Sequence, residues 1–274
     1  MIRQPSVAGQ FYESSRSGLT EQVGCFIPAG VSTENVIGAV SPHAGLMYSG
    51  AVAGAVYSKI TFPSTFVVIG PNHTGLGSPV SIMSSGRWQI PTGELEIDET
   101  FANKLKGQLN VAEEDSLAHK MEHSLEVQLP FILYFSSTVK IVPVVMMIDS
   151  LEVCESAGYA LAEVIKNTDY PVTIIASSDM SHYVSDSIAR EKDRKAIDRI
   201  IDIDPEGLYH TIKKEGISMC GFIPVTTMLY AARKLGAKES NLVKYMTSGE
   251  VSGDYDQVVG YAGLIVKTPL SSAS

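Results

Sequence analysis

The chain has 274 residues, 45% of them hydrophobic and 19% charged, ordinary proportions for a globular protein with a large core. A formal charge of −9 with no Lys/Arg run to offset it argues against a nucleic-acid phosphate backbone as partner. The apolar run at residues 141–148 is far too short to span a bilayer, residues 1–5 lack the layout of a signal peptide, and Cys25, Cys154 and Cys220 form no C-x-x-C pair, which together predict a cytoplasmic protein with free thiols and no membrane contact.

Residues 3–12 have loop character and precede a predicted helix over 19–26. Val36 to Val40 is a continuous apolar run, the pattern of a strand buried on both faces, and it delivers Ser41-Pro42-His43. The small-residue stretch 50–60 predicts a close-packed helix. A second buried strand, Phe66-Val67-Val68-Ile69, stops at Gly70-Pro71 and is followed at once by Asn72, His73 and Thr74. Short apolar runs broken by Ser84-Ser85-Gly86 and Pro91-Thr92-Gly93 predict an antiparallel hairpin within 79–97, which would make the sheet mixed.

Helices are predicted over 98–109, with Asp98 as N-cap, and over 122–135, where Pro130 should kink or end the helix. Strand 140–148, helix 151–166 and strand 172–176 follow. The last of these delivers Ser177-Ser178-Asp179 with His182 close behind. Helices over 185–203 and 205–214, a helix ending near Gly236, and strands at 242–247 and 258–267 complete the chain. Alternating buried strands and helices, with no linker and no repeat, define an α/β fold of one domain, 1–274, around a mixed, mostly parallel sheet.

Three strand ends thus carry polar tips. In an open parallel sheet they collect at the carboxyl edge, where ligands bind. Imidazole is the commonest metal ligand, which makes His43 and His73 candidates for metal or substrate contact. Asp179 reads either as the cap of a helix starting near Met180 or as the group orienting His182 as a general base. Cys25 and Cys154 read as small buried hydrophobes. Cys220 differs, because a helix start beside it would lower its thiol pKa and favour the thiolate a metal needs. His119 to His123 (HKMEH) matches the inverted zinc-protease pattern H-x-x-E-H, with Glu122 as base, if all lie on one helix. The helical pattern begins only near Glu122, so a place for Glu122 and His123 at a helix start or lining the site is favoured. No phosphate-binding P-loop, dinucleotide fingerprint or G-x-S-x-G elbow is present.

The ordered segments RQPSVAGQFY, SPHAGLMYSG, VIGPNHTG, EHSLEVQLPF, SSDMSHY, CGFIP and YMTSGEVSGDYDQVVGYAG resemble the Memo family, distributed over archaea, bacteria and eukaryotes (AmmeMemoRadiSam system protein B-like), and extend from Arg3 to Ala262. That family is similar in fold to the class III extradiol dioxygenases of the LigB type, which are non-haem iron enzymes. The resemblance implies an α/β/α sandwich with His43, His73 and Cys220 as metal ligands and Asp179, His182 and His123 lining the pocket, His182 matching the general base. It implies iron, with copper or zinc as alternatives because a thiolate replaces the dioxygenase carboxylate. A dioxygenase-like oxidoreductase follows, or a non-catalytic module holding a peptide or small anionic ligand in the same cleft. Eukaryotic members are linked to redox signalling through partner binding, and relatives occur beside radical-SAM enzymes, which implies a functional link to such an enzyme.

Overall fold

The computed structural model describes residues 1–269, so residues 270–274 of the expected domain lie outside the described residues. In chain order the strands are β1 (Ile2–Arg3), β2 (Val36–Ser41), β3 (Thr65–Pro71), β4 (Val80–Ile82), β5 (Arg87–Ile90), β6 (Gly93–Glu96), β7 (Glu113–Glu114), β8 (Lys140–Met146), β9 (Val172–Ser177), β10 (His182–Val184), β11 (Ser240–Thr247) and β12 (Val258–Lys267). Nine of them form one sheet in the order β10-β12-β2-β9-β3-β8-β4-β7, with β11 also paired to β12. Its centre, β2-β9-β3-β8, is parallel. Strands β2 and β3 are buried along their whole length, which explains their unbroken apolar sequences.

The sheet is mixed, but not for the reason the sequence suggested. Antiparallel pairing comes from β12 on β2, β4 on β8, and β10 and β11 on β12. The expected hairpin exists as β5–β6 and instead joins β1 in a separate three-stranded sheet. Trp88, Ile90 and Leu95 give that hairpin its own buried face.

Helices cover both sides of the main sheet. A Cβ on Gly38 would meet Met228 of helix Phe222–Lys234 at 2.8 Å. Val266 and Leu264 of β12 lie opposite Gly38 and Val40, so they share that face. Gly263 points the other way, and a Cβ there would meet Val56 of helix Leu46–Lys59 at 2.4 Å. The result is an α/β/α sandwich.

Local chemistry sets several helix limits. Asp98 accepts the Phe101 N–H at 3.0 Å and caps helix Glu99–Gln108. Ser150 caps helix Leu151–Lys166 through the Val153 N–H. The expected helix over 122–135 is shorter: a 3₁₀ turn, Glu126–Gln128, leads into helix Leu129–Phe135. Pro130 falls in its first turn, where a missing N–H costs nothing, so it opens the helix rather than kinking it.

Candidate metal centre

Strands β2 and β9 end level with one another, Ser41 opposite Ser177. His43 and Asp179 therefore sit at matching positions beyond the two strand ends, and His73 occupies the same position beyond β3. The His43 backbone N–H donates to Asp179 Oδ1 at 2.8 Å and the Ala44 N–H to the same oxygen at 3.3 Å. Asp179 does not cap a helix, because β10 follows it. Its carboxylate ties the β2 loop to the β9 loop. Burial raises the Asp179 pKa above the ordinary carboxylate range, against the pull of the His43 N–H.

Three imidazoles meet at this edge. Ring centroids are 5.1 Å apart for His43–His73, 5.5 Å for His43–His123 and 4.4 Å for the stacked pair His73–His123. One donor atom from each lies within 4.8 Å of the others, a spacing that could hold a metal ion. His43 forms the floor at 1% exposure, His123 is half-buried and His73 is exposed. Burial lowers the His43 and His123 pKa values, and repulsion from neighbouring histidines lowers them further. Both rings are thereby kept neutral, the form that ligates.

Glu122 fixes His73. Its carboxylate accepts the His73 N–H at 2.6 Å, lies 2.8 Å from His73 Nδ1, and accepts the Ser124 N–H at 2.9 Å. Burial alone would raise the Glu122 pKa, but the bonds and charge of His73 outweigh it and hold it at about 2.

Cys220 precedes helix Phe222–Lys234, and its Sγ lies 3.3 Å from His43 Nε2. The Asp179 N–H donates to the same sulfur at 3.3 Å. The expected lowering of its pKa does not occur: burial first, and the Asp179 carboxylate second, push the thiol well above its ordinary range. His182 is held by Ser218 rather than by Asp179. Its backbone N–H donates to Ser218 Oγ at 2.8 Å, and its Nδ1 lies 2.9 Å from the Ser218 carbonyl oxygen.

The other sequence candidates fall outside the cluster. His119 lies on the short helix Leu117–Lys120 and is fully buried, its ring edge-on to Trp88 at 5.9 Å. Glu122 and His123 follow that helix, so the single helical face of an inverted zinc protease is not formed. Cys154 is buried as expected, whereas Cys25 is exposed. Sequence reasoning placed Ser177 at a polar strand tip without a role behind His43, and it missed Gln128 and Phe11, whose ring lies 4.8 Å from His123. The end of the apolar run of β9 pointed to Ser177, and nothing local pointed to Phe11 or Gln128.

A mixed α/β sandwich with three histidines and a thiol at the carboxyl edge of its parallel strands defines an α/β protein with a candidate metal centre. The family model described as Memo-like protein matches residues 3–265, and the chain belongs to the Memo family. It is 44% identical over 268 residues to a MEMO1 family protein of Methanosarcina mazei, covering 97% of this chain and 99% of that one. A MEMO1 family protein of Methanothermobacter thermautotrophicus is 42% identical over 276 residues, covering 96% and 100%. The crystal structure of an uncharacterized Escherichia coli K12 protein superposes with a TM-score of 0.59 at 13% identity, covering 84% of this chain and 100% of that one, a likeness of fold alone. Among the described residues no helix is long and apolar enough to cross a membrane.

Proposed function

We propose that this chain is a metal-dependent redox enzyme of the non-haem iron type, acting on a small molecule admitted at the sheet edge. The observation that carries this reading is the convergence of one donor atom each from His43, His73 and His123 within 4.8 Å. The donor set suits a transition metal: three imidazoles, a carboxylate anchoring one of them, and a sulfur beside another. We assign His43, His73 and Cys220 as ligands, with His123 beside them, and iron as the metal, copper and zinc being the alternatives a soft sulfur ligand favours. The metal would supply Lewis acidity and one-electron chemistry to a bound substrate.

The remaining work falls to the protein's own groups. A carbonyl oxygen only accepts, so His182 Nδ1 carries the proton shared with Ser218 and Nε2 keeps its lone pair. His182 Nε2 is the atom that takes a proton from substrate. Phe11 walls the pocket beside His123, and Asp179 keeps the His43 and Cys220 loops in register.

Elemental analysis of protein purified without oxygen tests this reading. Near-stoichiometric iron or copper is expected, lost in Cys220→Ser and retained in His123→Ala. Loss in His123→Ala with retention in Cys220→Ser would reassign the ligand set to the three histidines. Wild-type protein that neither carries nor takes up iron, copper or zinc would overturn the enzyme reading. A second reading, a binding module, is favoured by Tyr183. It is 74% exposed next to His182 and held at a φ of 56°, a left-handed conformation that places an aromatic ring in solvent. Retained binding of a ligand by the His43→Ala/His73→Ala double variant would support it.

A further inference from the structure

Behind His43, side chains from four segments form a hydrogen-bond chain in which the partners of each group favour one direction. The Pro42 carbonyl can only accept, so the Gln128 atom 2.9 Å from it is the amide nitrogen. That nitrogen has only protons to give, so it also donates to Ser177 Oγ at 2.9 Å. The Gln128 oxygen accepts from Tyr57 Oη at 3.1 Å, which uses the other end of the amide. Ser177 has one hydroxyl proton, and the Ser124 carbonyl at 2.7 Å takes it. His43 Nδ1 lies 2.8 Å from the same Oγ, which now has no proton left to offer.

We propose that Gln128 and Ser177 are positioning residues that set the His43 tautomer, forcing the proton onto Nδ1 and leaving the Nε2 lone pair aimed into the pocket. The Cys220 sulfur lies 3.3 Å from Nε2, so that lone pair and the sulfur face the same part of the pocket. Gln128, Ser177 and Ser124 are all fully buried, so no solvent competes for these bonds. In the alternative tautomer the Ser177 hydroxyl would have to turn to Nδ1 and abandon the Ser124 carbonyl, at the cost of an unmade buried hydrogen bond. The inference deepens the metal-centre reading by naming what presents His43 as a ligand. It rests on hydrogen bonds between protein groups alone.

The test is a long-range proton–nitrogen NMR correlation on metal-free, histidine-labelled protein, with His43 assigned from a His43→Asn spectrum. Wild-type His43 is expected to show the Nδ1–H pattern. Ser177→Ala should give a mixture of tautomers, and Ser177→Thr, which keeps the hydroxyl, should restore the single form. Gln128→Ala, in which the oxygen loses its directing donor, is expected to shift the same signals in the same sense and serves if Ser177→Ala does not fold. Zinc titration of the same proteins should show a roughly 10–100-fold weaker site in Ser177→Ala. An Nε2–H pattern in the wild type, or spectra unchanged in both Ser177→Ala and Gln128→Ala, would overturn the inference. The correct tautomer in a protein that takes up no metal would leave it standing and defeat the metal-centre reading instead.

Discussion

Glu122 holds His73 at two points, through the backbone N–H at 2.6 Å and the ring Nδ1 at 2.8 Å. The ring is therefore fixed in rotation and in tautomer, which leaves Nε2 as the donor atom His73 can offer the cluster. In Glu122→Gln one oxygen becomes an NH₂ group and faces donors it cannot serve. The expected outcome is metal affinity lower by about 10–100-fold, with about 1–3 kcal/mol of stability lost. Zinc titration beside urea unfolding measures both, and an unchanged affinity would mean that His73 is held by other groups.

The N-terminal segment is locked to the same region through a buried ion pair. Arg3 pairs with Glu126, donates to the Glu122 carbonyl at 2.8 Å, and lies over Trp88 at 4.4 Å. Glu126 also accepts the Ser6 and Val7 N–H groups and the Tyr12 hydroxyl. Arg3→Leu leaves that carboxylate buried without its countercharge, so a loss of about 3–5 kcal/mol is expected. In the Arg3→Leu/Glu126→Leu double variant the loss should be smaller than the sum of the two single losses, read by a urea double-mutant cycle.

His119 makes stability sensitive to acid. Among the described residues neither ring nitrogen has a well-formed hydrogen bond, and burial, against the weaker pull of Asp115 and the Ser81 backbone, lowers its pKa from 6.5 to about 4. Between those values the unfolded chain binds the proton and the folded chain does not. Its contribution is thus complete above pH 6.5 and is lost as the pH falls towards 4. At roughly 1.4 kcal/mol per pKa unit the change is about 3 kcal/mol. Urea unfolding of His119→Phe should show a flatter pH dependence in this window, and parallel curves for the two proteins would contradict the assignment.

Gly221 is required by contact rather than by backbone angle. A Cβ there would lie 2.2 Å from the Ser177 carbonyl oxygen, a backbone atom in the sheet that cannot move aside. Gly221→Ala should therefore push the Cys220 loop away from β9. The expected result is about 1–3 kcal/mol of lost stability together with weakened metal uptake. Full metal content in this variant would argue that Cys220 is not a ligand.

The sequence was informative wherever the determinant was local. Residues 66–69 declared a buried strand by composition, and residues 151–166 declared a helix whose limits match Leu151–Lys166. The strand tips of β2, β3 and β9 announced His43, His73 and Asp179 through their position alone. What stayed hidden depends on segments distant in sequence. Glu126 is joined to residues 3–12, Gln128 to Pro42 and Ser177, and Ser218 to His182, and none of these pairs leaves a period or a motif. The stretch 122–135 misled because its apolar residues repeat at helical spacing while Glu122 and Glu126 are bound to His73 and Arg3, which commits the stretch before Leu129 to other contacts. The lowered Cys220 pKa was inferred from a nearby helix start, and the buried setting beside Asp179 overrides it.

Strand β12 pairs with β2 on the side not taken by β9, so the strand carrying the His43 loop gains its second neighbour from the far end of the fold. During synthesis the β2 edge consequently stays open until the ribosome has passed Lys267. For most of translation the nascent chain presents an apolar strand with unpaired N–H and C=O groups, a template for pairing with another chain. Pieces of the candidate site that are complete by Cys220 must wait on that last strand before the sheet beneath them closes.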